Sequence, residues 1–343
     1  MVFDRWPGDG FYSGRVKAFV ISELDHVLHC DVSDVDPLPS SPDDVLVRVE
    51  YSGVNFKDSL VAMSPSRVRR VNSVIGGVDA AGVVVTSGTS TLPAGTRVAV
   101  HGGDLGVGRD GGYAQFVYAP ANYISALAPS ISTRDAMVIG TAGFTAMASV
   151  LALEAHGLSR GDEVLVTGAT GGVGSMAITL LALRGYEPVA STGSINQSQW
   201  LVDRGAVRVI GRDDINDRPE RALGAERWAG AVDCVGGETL SQILRSLRYG
   251  ASVAASGLVA SAELSTNVYP FITRAVNLLG IDSVLAPFST RQQVWTTFGE
   301  LAPRIDFEQL VDRVIPWSDL TEAFESIRNG STRGRILVEP ATE

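Results

Sequence analysis

Glu163-Val164-Leu165-Val166-Thr167-Gly168-Ala169-Thr170-Gly171-Gly172-Val173-Gly174-Ser175-Met176-Ala177 reads as a strand, a glycine-rich turn and the start of a helix. The run Val164-Leu165-Val166 suits a strand buried on both faces. Glycines at 168, 171 and 174 permit a tight turn, close backbone approach to a pyrophosphate and close helix–sheet packing. The helix that follows offers unpaired N–H groups and the positive end of its dipole. The same glycines would also serve a plain strand-to-helix turn, so the surrounding chain decides.

Outward from this turn, the chain after about Ile131 alternates helical stretches with short apolar runs, the rhythm of parallel βαβ units. Strands are expected at 163–167, 187–191, 207–210, 231–234 and 252–255, with helices at 136–153, 173–184, 197–204 and 239–247. Residues 15–126 read differently, as short β-rich runs at 16–21, 44–51, 80–86, 97–101 and 114–118 separated by turn residues. That half is barrel-like. Beyond about Ala286 the chain is polar and helical, and 334–339 reads as a last strand that rejoins the first half.

In NAD-selective turns an acid about 20 residues on binds the ribose 2′-OH and repels a 2′-phosphate. Here the second strand ends Ala190-Ser191-Thr192-Gly193-Ser194, with hydroxyls and no acid, and Arg212 follows the next strand. NADP is favoured over NAD, the alternative being that Ser191, Thr192 and Ser194 cap the next helix.

Bulk composition bounds the rest. A chain of 343 residues is long enough for two cores, and 45% hydrophobic with 19% charged residues is ordinary for a globular protein. A net charge of −10 argues against nucleic acid or an anionic membrane as partner. Among 28 basic residues only Lys17 and Lys57 are lysines, so arginine clusters stand out as anion-binding candidates. The densest is Arg67, Arg69 and Arg70, with a solvated basic face as its plain alternative. Cys30 and Cys234 are far apart, and His26, His29, His101 and His156 show no spacing paired with them, which argues against a zinc site and for a reducing, cytoplasmic setting. Residues 1–14 carry no signal-like apolar core and suggest no role.

Five ordered blocks carry a family resemblance: Gly53-Val54-Asn55-Phe56-Lys57-Asp58, Ile139-Gly140-Thr141-Ala142-Gly143-Phe144-Thr145-Ala146-Met147, the turn from Val166 to Ser175, Trp228-Ala229-Gly230-Ala231-Val232-Asp233, and Gly280-Ile281-Asp282-Ser283-Val284. From Arg15 to about Val338 the chain resembles the acrylyl-CoA reductase branch of the quinone-oxidoreductase-like, zinc-free medium-chain dehydrogenases/reductases. The resemblance implies an α/β protein: a GroES-like β-barrel catalytic domain (1–136 and 287–343) interrupted by a Rossmann NADP-binding domain of doubly wound parallel sheet (137–286), with NADPH in the cleft. It implies cofactor contacts at Phe56, Thr170, Gly171, Gly172, Val173, Thr192, Gly193, Ser194, Arg212, Leu258, Ile272, Ser283 and a residue near Asn329 or Gly330. It also implies reduction of a short 2-enoyl-CoA, acrylyl-CoA to propionyl-CoA.

This sequence departs from the family pattern in places. Ser194 stands where relatives carry an arginine, which weakens 2′-phosphate recognition or transfers it to Arg212. Phe56 replaces a tyrosine, residues 62–70 replace a Gly- and Lys-rich loop, and Gly76-Gly77-Val78-Asp79 lacks the usual proline.

Without a Lewis acid, an alkene conjugated to a thioester is a more tractable hydride acceptor than a simple ketone, because the thioester stabilises the enolate. Asn55 and Lys57, oriented by Asp58, are the candidate donors to its oxygen, against the alternative that they cap a helix. Arg67, Arg69 and Arg70 are the candidate contacts for CoA phosphates. Competing readings are a zinc-independent NADPH:quinone oxidoreductase and a catalytically weak NADPH-binding regulatory protein. The apolar segment 276–281 reads as a sheet edge that could pair with its own copy in a homodimer.

Overall fold

The computed structural model describes residues 15–37, 39–86, 92–215 and 220–340; residues 1–14 lie outside them. The described residues divide into two compact units, those up to Thr141 together with Val284–Pro303 and those from Phe307 on, and those of Ala142–Ser283 with Arg304–Asp306.

In chain order the first unit begins with β1 (Val16–Leu24), β2 (Val27–Val35), β3 (Val45–Val54), α1 (Phe56–Val61), β4 (Ser73–Ile75), β5 (Asp79–Thr86), β6 (Arg97–His101), β7 (Phe116–Ala119) and β8 (Ile124–Ala126). Next comes the long helix α2 (Thr133–Ala155), broken at Gly140, whose φ of 47° and ψ of −158° are outside helical space. Then follow β9 (Glu163–Thr167), α3 (Gly172–Leu183), β10 (Glu187–Ser191), α4 (Ser198–Val202), β11 (Arg208–Ile210), β12 (Trp228–Asp233), α5 (Gly237–Ser246), β13 (Leu247–Ala255), α6 (Tyr269–Arg274) and β14 (Asn277–Gly280). The chain ends with α7 (Phe288–Leu301), β15 (Val311–Ile315), α8 (Leu320–Arg328) and β16 (Arg335–Val338).

The first unit holds a three-stranded sheet, β2-β1-β4, and a seven-stranded sheet, β15-β16-β3-β5-β6-β8 with β7 paired to β3. Strand β16 lies antiparallel to β3 with Leu337 opposite Gly53, so the chain's last strand does return to the first unit. Four strands, β2, β4, β8 and β15, were not legible in the sequence, and β2 is the longest of them. Asp25 and His26, both at positive φ, turn β1 straight back into β2, a two-residue connection that matches the twist of paired strands. Most of β2 is exposed, so its His29, Asp31, Ser33 and Asp34 show no apolar alternation, and backbone pairing from Val16↔Val35 to Leu24↔Val27 makes the strand. The core beneath β1 gathers Phe19, Ile21, Val61, Tyr113, Trp317, Leu320 and Phe324, which seats α1 and α8 on one floor.

The second unit is a six-stranded parallel sheet in the order β11-β10-β9-β12-β13-β14. Numbered within the unit this is 3-2-1-4-5-6, the doubly wound dinucleotide-binding order. Doubly buried strands such as β9 and β12 are near-continuous apolar runs, and that is why they could be read in advance. Trp228 is fully buried, with its Nε1–H donated to the Ile215 carbonyl at 3.2 Å. Helix α2 is long and apolar enough to cross a membrane, but 83% of that window is buried within the protein, as for a core helix.

Candidate functional site

In the second unit the strand order reverses at β9, between β10 and β12, and the crevice of such sheets opens beyond the carboxyl ends of the strands at that reversal. The glycine turn stands there. Gly168 has a φ of 58°, and Gly171 is the extended residue that caps α3. A Cβ on Gly174 would stand 2.4 Å from the Gly168 carbonyl oxygen and 2.8 Å from the Ala169 Cα, so the helix starts in backbone contact with the turn. Thr170, Gly171, Gly172 and Val173 are half-buried around it. Asp233 ties this turn to the loop after β12: it accepts the Thr167 hydroxyl at 2.6 Å and the Gly236 N–H at 2.9 Å. Burial raises its carboxyl, against the pull of those donors.

At the end of β10, Thr192 Oγ1 accepts the Ser194 N–H at 2.9 Å and keeps its own O–H to donate, while Ser191 Oγ donates to the Gly211 carbonyl at 3.4 Å. Ser194 heads a 3-10 turn over Ile195–Gln197, yet its hydroxyl makes no cap bond. Arg212 lies over this loop: a Cβ on Gly193 would meet its Cζ at 2.5 Å. The Arg212 side chain is exposed and has no hydrogen bond or ion pair among the described residues. An uncommitted guanidinium thus sits beside an uncommitted hydroxyl. Ser283 follows β14, while Leu258 and Ile272, 54% and 72% exposed, lie on the loop after β13 and on α6.

In the first unit, Asn55 and Asp58 belong to a buried network. Asp58 Oδ2 reaches back to the Asn55 N–H at 2.8 Å, closing the first turn of α1 as in a capping box, and its Oδ1 accepts the Val78 N–H at 2.9 Å. The Asn55 amide donates to Asp79 Oδ2 at 2.9 Å and accepts from Arg335 Nη1 at 2.9 Å. Asn55 and Asp58 are 8% and 1% exposed. The expectation of Asn55 and Lys57 as donors oriented by Asp58 is corrected for Asn55, whose amide is taken by Asp79 and Arg335, while the half-buried Lys57 stays a donor candidate next to Phe56. Helix α8 packs against α1, with Arg328 Nη1 donating to the Ser59 carbonyl at 3.0 Å, so the exposed Asn329 and Gly330 end a helix seated beside Phe56 and Lys57. Sequence reasoning passed over Asp79, Arg335 and Tyr113. The usable signal was Arg335 itself, a charge inside a strand whose four residues are all buried.

Burial, then the neighbouring Asp79, push the Asp58 carboxyl up to about 7. A folded-state value above the unfolded one means the fold binds that proton more tightly. Its stabilising contribution is therefore fully present below about pH 4 and is lost as pH rises to about 7. The denaturant midpoint of the wild type should fall between pH 5 and pH 8, and Asp58→Asn should shrink that fall; an equal fall in both would refute the assignment.

The arginine cluster splits. Arg69 is corrected as a phosphate contact: its side chain is 4% exposed, ion-paired with Glu23 and donating to the Val61 carbonyl at 2.7 Å. Arg67 and Arg70 are exposed, with no ion pair among the described residues. Arg70 lines a cavity of about 560 Å³ with Glu23, Asp25, His26, Pro65, Ser66, Arg69, Val71 and Asn72.

Comparison with known proteins places this geometry. Residues 41–129 match the alcohol dehydrogenase GroES-like domain and residues 172–300 the zinc-binding dehydrogenase family. The acrylyl-CoA reductase AcuI of Ruegeria pomeroyi is 42% identical over 86% of this chain and 90% of its own length. The chain belongs to the medium-chain dehydrogenase/reductase superfamily. Within it, YhfP of Bacillus subtilis, which bears a quinone oxidoreductase name, is 41% identical over 91% of this chain and 94% of its own. The YhfP crystal structure with NAD bound superposes with a TM-score of 0.91 at 40% identity, covering 95% of this chain and 100% of that one. YhdH of Escherichia coli K-12 with bound NADPH gives 0.89 at 37% identity, covering 94% and 100%. Like these relatives, the protein is an oxidoreductase. Among the described residues, no three His, Cys, Asp or Glu side chains are grouped to hold a metal ion.

Proposed function

We propose that the protein uses NADPH to reduce the C=C bond of a short 2-enoyl-CoA, with acrylyl-CoA to propionyl-CoA as the best match. The observation that carries the cofactor choice is the uncommitted Arg212 guanidinium on Gly193, at the end of a second strand that has no acid. The relatives named acrylyl-CoA reductase support the substrate class.

The backbone N–H groups of the Gly171–Val173 turn are suited to the pyrophosphate, and Arg212 with Ser194 to the 2′-phosphate. Phe56, Leu258, Ile272, Ser283 and Asn329 or Gly330 are assigned to the remaining cofactor contacts. When bound, the reduced nicotinamide would supply hydride to the β-carbon of a conjugated thioester, and the enolate so formed takes a proton from solvent at its α-carbon, which completes the reduction. Lys57 then faces the developing charge on the thioester oxygen as a donor, while Asn55 and Asp58 hold the turn that presents it. Arg67 and Arg70 remain to meet CoA phosphates beside the cavity. The setting is cytoplasmic, where Cys30 and Cys234, both free, stay reduced. Self-association into a dimer is assigned to the edge strand β14, whose Leu278 is 39% exposed, and light scattering on the eluted protein reads its mass.

A quinone is the second acceptor to consider, on the strength of the YhfP name. NADPH oxidation measured in parallel with acrylyl-CoA, crotonyl-CoA and a benzoquinone separates the readings: thioester turnover supports this one, quinone turnover alone replaces it, and no turnover favours a binding role. In the same assay Arg70→Ala should raise the KM for the CoA thioester about tenfold, the value of one charge-assisted contact, and hardly alter that for the quinone. Equal changes would remove Arg70 from the substrate site.

A further inference from the structure

The buried ion pair Asp79–Arg335 joins two stretches of chain, 53–55 and 137–141, that lie far apart in sequence. Asp79 and Arg335 are 0% and 3% exposed, and Arg335 Nη2 stands 3.6 Å from Asp79 Oδ2. Asp79 accepts the Gly53 N–H at 3.2 Å, the Asn55 amide at 2.9 Å and the Thr141 N–H at 2.9 Å. Arg335 donates to the Asn55 Oδ1 at 2.9 Å, the Val54 carbonyl at 3.3 Å and the Met137 carbonyl at 3.4 Å. Two glycines make room for the pair. A Cβ on Gly53 would stand 2.6 Å from Arg335 Nη2, and one on Gly140 would stand 2.7 Å from both Arg335 Nη2 and Asp79 Oδ2.

These bonds take up the Gly53 N–H, the Val54 carbonyl and the Asn55 amide group at the end of β3 just before Phe56 and Lys57, and they also fix the peptide at the break in α2. A buried charge pair costs desolvation that apolar residues would avoid, so its worth here is in fixing geometry. We propose that Asp79 and Arg335 are positioning residues of the reaction: as one buried pair they hold the Gly53–Asn55 segment, and through it Phe56 and Lys57, in a single arrangement with the Gly140 break. This rests on the reductase reading above.

Arg335→Lys keeps the charge but cannot span Asn55, Val54 and Met137 at once. It should lower kcat about tenfold or more, a modest loss beside what an ångström of misplacement can cost, with the KM for NADPH and for crotonyl-CoA within about twofold of wild type. Hydrogen exchange at amides 54–59 should rise at least about tenfold in the same protein without cofactor or substrate. Gly140→Ala, whose Cβ meets the pair and whose φ of 47° strains alanine at the break itself, should reproduce both effects, and either variant decides if the other fails to fold. A folded variant with wild-type kcat and wild-type exchange at 54–59, whatever its stability, overturns the proposal. Should wild type turn over no acceptor, the reductase reading fails by itself, and exchange alone then decides the positioning role: raised exchange sustains it and unchanged exchange overturns it.

Discussion

Replacing Arg212 with alanine should raise the KM for NADPH by about ten- to a hundredfold and leave that for NADH within about twofold. The range is the usual worth of hydrogen bonds to a charged group, about 1.5–3 kcal/mol, converted at about 1.4 kcal/mol per tenfold. It applies to this residue because Arg212 has no competing partner among the described residues and its guanidinium already rests on Gly193. Lysine should recover part of the loss, since the charge returns without the bidentate fork. Because the side chain is exposed, the preference should also weaken as salt is added. In the opposite direction, Ser194→Arg should tighten NADPH, for Ser194 Oγ is equally uncommitted. Equal losses on NADPH and NADH in Arg212→Ala would place the residue elsewhere than at the 2′-phosphate.

What could be read from the sequence, and what could not, divides by whether the cause is local. The turn Gly168–Gly174 and the apolar runs of β9, β10, β12 and β13 announce themselves, because a doubly buried parallel strand and a glycine turn each state their requirement in adjacent residues. Strand β2 did not, since a polar, exposed strand exists through pairing with β1 and leaves no pattern of its own. The arginine cluster misled for the same reason: Arg69 lies between two exposed arginines in sequence, but Glu23, 46 residues away, takes it into a buried pair. Asn55 was found as a residue and misjudged as a donor, because its partners Asp79 and Arg335 arrive from another strand and from the far end of the chain. Arg212 comes beside Gly193 from its position after the third strand, since the parallel order puts that strand next to the second.

Gly174→Ala sets two local effects against each other, and their magnitudes decide the outcome. Gly174 is the third residue of α3 and its φ is not in the left-handed range, so alanine suits its conformation and should gain about 1 kcal/mol of helix propensity. Against that, the new Cβ meets only backbone, 2.4 Å from the Gly168 oxygen, 2.8 Å from the Ala169 Cα and 2.9 Å from the Gly168 carbon. No flexible side chain can yield there. Overpacking of this kind costs about 1–3 kcal/mol, and contact with rigid backbone belongs at the upper end, so the net should be a loss of about 1–2 kcal/mol. The strain must be relieved by lifting the start of α3 away from the turn, which disperses the N–H groups aimed at the pyrophosphate, and NADPH affinity should fall at least about a hundredfold. Gly171→Ala is the control: its Cβ has one neighbour, the Gly168 oxygen at 3.3 Å, so the fold should tolerate it while a bound phosphate, which needs the backbone bare, should not. Thermal unfolding with and without NADPH reads both terms. A Gly174→Ala protein that melts above wild type and still gains stability from NADPH would mean that the turn does not bind the cofactor through its glycines.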